Sequence, residues 1–445
     1  MCYTASMNIN QRLNALGLEI PFILIPKSIG IKWPVIACDQ FTQDRDYWEK
    51  VRKAADDSPS TLNLIFPEVF LNDGDAENRI KAIHSNMNSY LQEGVFAPPR
   101  QGFMYIERDT PYNKKRRGLI AAVDLEKYEW QPSARPLIRC TEGTVEDRLP
   151  PRMNIRRGAP LELPHVLLLI DDKTNTLLPE LGEMAKKNEP VYDTPLMMES
   201  GRAAGWFLDA EVQPEAFVFI AEKLKELCDP SFLFAVGDGN HSLAAAKGIW
   251  EEHKAKGGDR GHPCRYALVE IENIYDPAIQ FEPIHRVILG AGFDETVSLL
   301  SKLPEAVCHS VDSKEKLVSL CKEPASQAAN RFGIVAEACF ALIETSAPGI
   351  STACLQPLLD EYVKNKSGME IDYIHDNEEV FRLAENSKKT VGILLPPVQK
   401  TGLFETVARL GPLPRKSFSM GHSCEKRFYL ECRHLQQHCI NSLLF

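Results

Sequence analysis

Apolar residues along this chain come in short, strand-sized blocks separated by stretches of helical period. IPFILIP and WPVIAC, within residues 18–38, alternate with Pro and Gly and predict strands leading into Asp39-Gln40-Phe41-Thr42. A helix is expected from Asp46 to Ala55. A second runs from Ala76 to Gly94, with Ile80, Ile83, Met87 and Leu91 on one face and Gly94 as its stop. GFMYIERDTPYNKKRRGLIAAVDL predicts strand, polar turn, strand, with the basic KKRRG on a solvated hairpin tip. Residues 136–160 are rich in charge and not apolar enough to be core. HVLLLIDD predicts a buried strand ending in Asp171 and Asp172, and residues 214–228 predict a helix. CRYALVEIENI is another strand, leading to Phe281-Glu282-Pro283-Ile284-His285-Arg286. From about residue 295 helices and strands alternate again, through to LPRKSFSMGHSCEKRFYLE.

One handover between elements differs from the rest. Phe232 to Val236 reads as a buried strand, which breaks at Gly237-Asp238-Gly239-Asn240-His241-Ser242. A helix then follows, with Leu243, Ala246 and Trp250 on its apolar face and Lys247, Glu251 and Lys254 between them.

The alternation of strands and helices predicts an α/β protein, and the hairpin near residue 112 makes the sheet mixed. At 445 residues the chain is expected to form two or three domains, or one large α/β body with additions. A net charge of −10 argues against nucleic acid as a partner, since backbone binding needs a basic face. The first residues show no positive region followed by an apolar one, so no signal peptide is expected. No apolar run approaches the ~18 residues of a membrane span. The 12 cysteines are scattered with no C-x-x-C pair, which predicts reduced thiols in a cytoplasmic protein.

A Gly-rich turn that opens a helix is a natural anion site, because the first backbone N–H groups are unpaired and the dipole favours negative charge. Gly237 and Gly239 permit close ligand approach, His241 can carry a proton near neutral pH, and Asp238 can hold a metal or accept a proton. The same residues also suit a plain helix cap and turn.

This turn resembles the Asp-Gly-His-His-Arg signature of one lineage of the ParB/sulfiredoxin-like fold, whose members include free-serine kinases. Five ordered segments, VIACDQFT, IRCTEGTVEDR, DGNHSLAAAK, FEPIHRVI and LPRKSFSMGHSCEKRFY, are similar over nearly the whole chain to the uncharacterised bacterial family called domain of unknown function 1015. The resemblance implies a ParB/sulfiredoxin-like core with N- and C-terminal α/β additions. It suggests regions 1–135, 136–290 and 291–445, the central one carrying the TEGT and DGNHS motifs. In the related kinases a glutamate acts near the acceptor hydroxyl and the turn holds nucleotide phosphates. The matching positions are Glu142 and Asp238 to Ser242, with ATP or another nucleotide and Mg²⁺ as the implied cofactors. Asn240 stands for the first histidine of the signature, Ser242 for its arginine, and Thr141 for the histidine before the glutamate. Serine cannot replace an arginine fork on phosphate. Arg148, Arg152, Arg156 and Arg286 are the candidates to supply that charge from elsewhere.

Further candidates carry two readings each. His285 and Arg286 follow a strand and either enter the cleft or form a strand-end pair. Lys416 and Ser417 either contact phosphate or face solvent. Asp39 and Gln40 either line the pocket at a strand end or, for Asp39, cap the next helix. In the tail, Cys424, Cys432, His434, His438 and Cys439 include a histidine pair at i, i+4, yet lack a paired C-x-x-C half, so a weakly ordered tail is expected. Two functions follow: an enzyme transferring or hydrolysing a phosphoryl group, with Glu142 or His241 as base, or a small-molecule binder that keeps the pocket without turnover.

Overall fold

The hairpin expected around residue 112 forms the centre of a 13-stranded mixed sheet. The computed structural model of the protein describes residues 7–436 apart from 114, 229–231, 324–329, 386, 388 and 398. It divides into two compact units, Met1–Ile279 with His422–Phe445, and Gln280–Gly421. The fold class is the expected mixed α/β. The three-part division is replaced by this one. A boundary after residue 135 would cut a single sheet, and the C-terminal segment returns to the first unit.

The principal elements of the first unit, in chain order, begin with β1 (Phe22–Leu24), α1 (Arg45–Ala55), α2 (Ala76–Gln92), β2 (Arg100–Asp109) and β3 (Arg116–Asp124). Then come β4 (Ile138–Cys140), α3 (Leu149–Arg156), β5 (Leu161–Glu162), β6 (Val166–Ile170) and β7 (Arg202–Asp209). The last are α4 (Pro214–Leu227), β8 (Phe234–Asp238), α5 (Asn240–Ala255), β9 (Tyr266–Asn273) and β10 (Cys432–His434). The strand order is β4-β8-β6-β9-β3-β2-β1-β10-β5, and β7 also pairs with β2. β4 and β8 are parallel, while β6 runs antiparallel to β8. The C-terminal ends of β4 and β8 and the N-terminal end of β6 therefore lie at one rim.

Both faces of the sheet are covered, so its central strands read as near-continuous apolar runs. Leu119, Ala121 and Val123 join one core with Phe217 and Ile220 of α4 and Leu243, Ala246 and Trp250 of α5. Ile120, Met104 and Leu268 belong to the core of the opposite face, with Trp48 of α1 and Ile83 and Met87 of α2. Lys247, expected on the polar side of α5, is buried, and its ammonium reaches the Leu125 carbonyl at 2.9 Å and Glu251 at 2.9 Å. Its aliphatic stem covers apolar surface while the charge finds partners.

Three sequence expectations fail for identifiable reasons. Residues 136–160 do hold core: β4 is buried, and α3 starts at Pro150-Pro151, where proline suits a first helical turn. Arg116, read as part of a solvated tip, is buried and makes two 2.6 Å hydrogen bonds to Glu272. The described part of the tail is structural: Arg427, 2% exposed, reaches Glu270 at 2.8 Å and Glu431 at 2.5 Å. His434 sits on a strand, not on a helix face shared with His438; His438 and Cys439 lie outside the described residues.

The second unit has a six-stranded sheet that includes His285–Leu289, Asn330–Ala336, Cys339–Thr345 and Thr390–Leu394. Its His285 and Arg286 have structural work within it. His285 Nδ1 accepts the Leu395 N–H at 3.0 Å, and burial pushes its pKa down to about 4. Arg286 is fully buried and donates to Gln356 Oε1 at 2.7 Å and to the carbonyls of Ile284 and Lys416 at 2.6 and 2.9 Å. The Lys416 side chain is exposed, while Ser417 is buried and donates to the Pro414 carbonyl at 2.6 Å.

Two outcomes are expected. Arg427→Ala leaves Glu270 and Glu431 buried without their cation, and should destabilise the first unit by about 3–5 kcal/mol. Urea unfolding followed by hydrogen exchange of the β9 peptide measures this; a loss under about 1 kcal/mol would show the pairs to be dispensable. In the second unit, His285 has a folded pKa below its ordinary 6.5, so the unfolded state binds the extra proton first. Its contribution is fully present above 6.5 and is lost as pH falls through about 4, a loss of roughly 3 kcal/mol. The protection factor of the Leu395 amide should fall over that window, and His285→Asn, whose Oδ1 can take the place of Nδ1, should flatten the profile.

Candidate functional site

Parallel pairing of β4 with β8 sets Cys140 opposite Val236, so the chain leaves both strands side by side. From β4 it enters Thr141-Glu142-Gly143-Thr144, and from β8 it enters Asp238-Gly239-Asn240-His241. Two hydrogen bonds tie these segments together. The Thr141 hydroxyl donates to the Val236 carbonyl at 2.6 Å, and the Val145 N–H donates to His241 Nε2 at 3.2 Å. Glu142 and the Asp238–Ser242 turn thus share one rim. Glu142 is half-buried on that loop, while Arg148 is exposed.

The turn itself is built around Gly239, at φ +78°, which stands immediately before α5. A Cβ there would lie 3.0 Å from the His165 ring and 3.0 Å from the Val166 backbone, so glycine is needed for conformation and for space. The Gly239 N–H donates to Asp238 Oδ1 at 2.9 Å, and the other carboxylate oxygen lies 3.2 Å from Lys426 Nζ. Gly237 is the penultimate residue of β8. The first N–H groups of α5 belong to Asn240, His241 and Ser242. The Oδ1 of Asn240 is buried with no hydrogen-bond partner among the described residues. Such a group is satisfied by a ligand donor or, after rotation of the amide, by a ligand acceptor.

A second group arrives from the two ends of the chain. Val35–Ile36 pairs with Phe428–Tyr429, which brings Cys38, Asp39 and Tyr429 to His165, the residue just before β6. His165 Nε2 lies 3.2 Å from Asp39 Oδ2, and its Nδ1 lies 2.5 Å from the Tyr429 hydroxyl. Gln40 donates to Asp39 Oδ1 at 2.9 Å. Burial opposes charge on His165, but the Tyr429 oxygen, the Asp39 carboxylate and the Cys38 sulfur outweigh it and raise its pKa well above the ordinary value. Burial likewise opposes charge on Asp39, and His165 outweighs it, holding that carboxyl well below the usual range. Asp39 does not cap the next helix; Asp44 does, accepting the Tyr47 N–H at 2.9 Å.

Beside both groups lies a cavity of about 150 Å³. Leu64, Phe66, Met87 and Leu161 give it apolar walls, and Ser242, Arg152, Arg156, Glu68, His165 and Tyr429 bring polar atoms to it. Arg152 and Arg156 come from α3, which approaches α5 at Gly248; a Cβ there would lie 2.8 Å from Met153 Cε. Arg152 pairs with Glu68, and Arg156 pairs with Glu162 at 2.5 Å. Of the arginines proposed to replace the one missing from the turn, these two line the cavity with Ser242. The sequence reading did not single out Cys38, Glu68, His165, Lys426 or Tyr429. Four of them lie inside quoted segments and Glu68 lies between two expected helices, but nothing local marks any of them as polar lining.

Among the described residues, three or more metal-ligating groups converge only at His253, His262 and Cys264. There the Cys264 N–H donates to His262 Nδ1 at 3.2 Å, which fixes that ring as a structural acceptor. Also among these residues, no helix is long and apolar enough to cross a membrane.

No curated protein matches the chain. Solved structures do. One is a conserved hypothetical protein from Pyrococcus furiosus, with 12% identity and a TM-score of 0.34, over 72% of this chain and 96% of the other. A free serine kinase in complex with AMP has 13% identity and a TM-score of 0.38, over 74% and 95%. SbnI with a C-terminal truncation, from Staphylococcus aureus, has 10% identity and a TM-score of 0.36, over 68% and 82%. The family likeness read from the five sequence segments is borne out across residues 21–385: the chain belongs to the family described as "Protein of unknown function (DUF1015)".

Proposed function

We propose that the first unit binds a phosphorylated small molecule, with ATP or another nucleotide as the leading candidate, and transfers or hydrolyses its terminal phosphoryl group. One observation carries this reading: parallel pairing of β4 and β8 sets Glu142 beside the helix-opening turn Asp238–Ser242. The N–H groups of Asn240, His241 and Ser242 hold phosphate oxygens, supported by the α5 dipole. Arg152 and Arg156 supply from α3 the positive charge that Ser242 cannot. His241 Nε2 already accepts the Val145 N–H, which favours Glu142 as the base for an acceptor hydroxyl. Lys426 already neutralises Asp238, so Asp238 serves to position that lysine. Mg²⁺ would arrive already held by the phosphate oxygens and water.

A second reading is favoured by a specific feature. Arg152, Arg156 and Lys426 each hold a carboxylate, at Glu68, Glu162 and Asp238. A binder that never stabilises a transferring phosphoryl group tolerates such neutralised cations.

Nucleotide with Mg²⁺ should raise the melting temperature in proportion to the logarithm of ligand concentration above Kd. Ser242→Asp keeps a residue that suits a helix N-terminus but places a carboxylate against the phosphate, so it should abolish the shift without lowering the unliganded melting temperature. Glu142→Gln should keep the shift and cut turnover roughly 10²–10⁴-fold. Absence of any shift with nucleotides excludes the nucleotide reading, and a shift without turnover in the unmodified protein leaves the binder.

A further inference from the structure

The site contains a nucleophile–base–acid constellation that phosphate binding does not use. Cys38 Sγ lies 3.9 Å from His165 Nδ1, and the opposite ring nitrogen lies 3.2 Å from Asp39 Oδ2. Thiol, imidazole and carboxylate therefore stand in series, with the carboxylate fixing the ring by holding Nε2 as the donor. Asp39 is itself fixed by the amide of Gln40 at 2.9 Å. Tyr429 bridges the pair: its hydroxyl lies 2.5 Å from the same Nδ1 and accepts the Cys38 N–H at 3.2 Å. Cys38, His165 and Tyr429 all line the 150 Å³ cavity, whose walls are mostly apolar. Cys38 is half-buried, whereas Cys308 and Cys339 are exposed.

We propose that Cys38 is a nucleophilic thiol, with His165 as the cationic partner of its sulfur and Asp39 as the group that orients His165, and that the cavity seats a ligand bearing an electrophilic carbon. In the step, a bond forms between Sγ and that carbon, and the bond from carbon to its leaving group breaks, the group departing with the electron pair. The thiol proton leaves to solvent before the bond forms, and the His165 cation holds the thiolate so made. The Asp39 carboxylate keeps His165 in that charged form. That cation beside the sulfur makes attack effective near neutral pH, as in paired cysteines generally.

Limiting iodoacetamide supplies a small electrophile, with iodide as leaving group, and mass spectrometry of the peptides of the full chain reads each cysteine separately. At pH 6.5 Cys38 is expected to alkylate about tenfold faster than exposed Cys308 and Cys339, despite its burial. His165→Gln should bring Cys38 to or below the rate of Cys308. Asp39→Asn should do so in part and serves where the histidine variant does not fold. Alkylation of Cys38 no faster than Cys308 at pH 6.5 would overturn the proposal, as would a rate unchanged in both variants. Neither readout uses a nucleotide, so its outcome is separate from that of the phosphate turn.

Discussion

Arg427 is the residue on which the candidate site depends. Its guanidinium is buried between Glu270 on β9 and Glu431, while Arg116 on β3 holds Glu272 two residues along the same strand. Ion pairs of this kind gain little stability over a well-packed apolar core, because desolvation consumes most of the Coulombic attraction. They do impose register: a slip of one residue would leave a charge buried and unpaired. Here the register matters because the flanking residues face the site. Lys426 reaches Asp238, and Tyr429 reaches His165. The C-terminal segment is thus locked to the sheet by one side chain and delivers a cation and a hydroxyl to the rim with its neighbours.

The rim owes its chemistry to strand direction. Two parallel strands, β4 and β8, release their C-terminal loops together, which is where open α/β sheets gather ligands. β6 runs the other way, so it contributes the residue before its start, His165, to the same rim. Gly239 is the point of contact between the two arrangements. Its positive φ turns the chain into α5, and its missing side chain leaves the space occupied by the His165 ring. A single glycine thereby serves the helix-opening turn and the His165 cluster at once.

Much of this was legible in the sequence. The helices at 45–55, 76–92 and 214–227, the central hairpin and the strand–turn–helix around Asp238 all follow from period and punctuation. The motif pairing of Glu142 with Asp238 placed two segments together that the sheet does join. What escaped was long-range polarity. Arg116 and Arg427 look like surface charges in any local window, because Glu272 and Glu270 are far away in sequence. Glu431 lies four residues from Arg427, in a segment too charged to read as core. His165 was hidden by the apolar run behind it, and Lys247 by its place among the polar positions of α5. The His285-Arg286 pair misled in the opposite sense: both are polar at a strand start, and both are consumed by hydrogen bonds inside the second unit.

On the proposed reading, the arginine absent from the turn is a displacement of charge more than a loss. Ser242 is small, and the helix that packs beside it, α3, brings Arg152 and Arg156 to the same cavity. Gly248 permits this by letting Met153 sit against α5. An arginine on the turn would be bound to one position, whereas an arginine on a neighbouring helix must be held, and Glu68 holds Arg152. Burial pushes the Glu68 carboxyl up, although Arg152 pulls it down. On that reading, an arriving anion competes with Glu68 for Arg152. Pairing in this site avoids a buried, uncompensated cation, and the same pairing sets the free energy that an anion of the proposed kind must exceed.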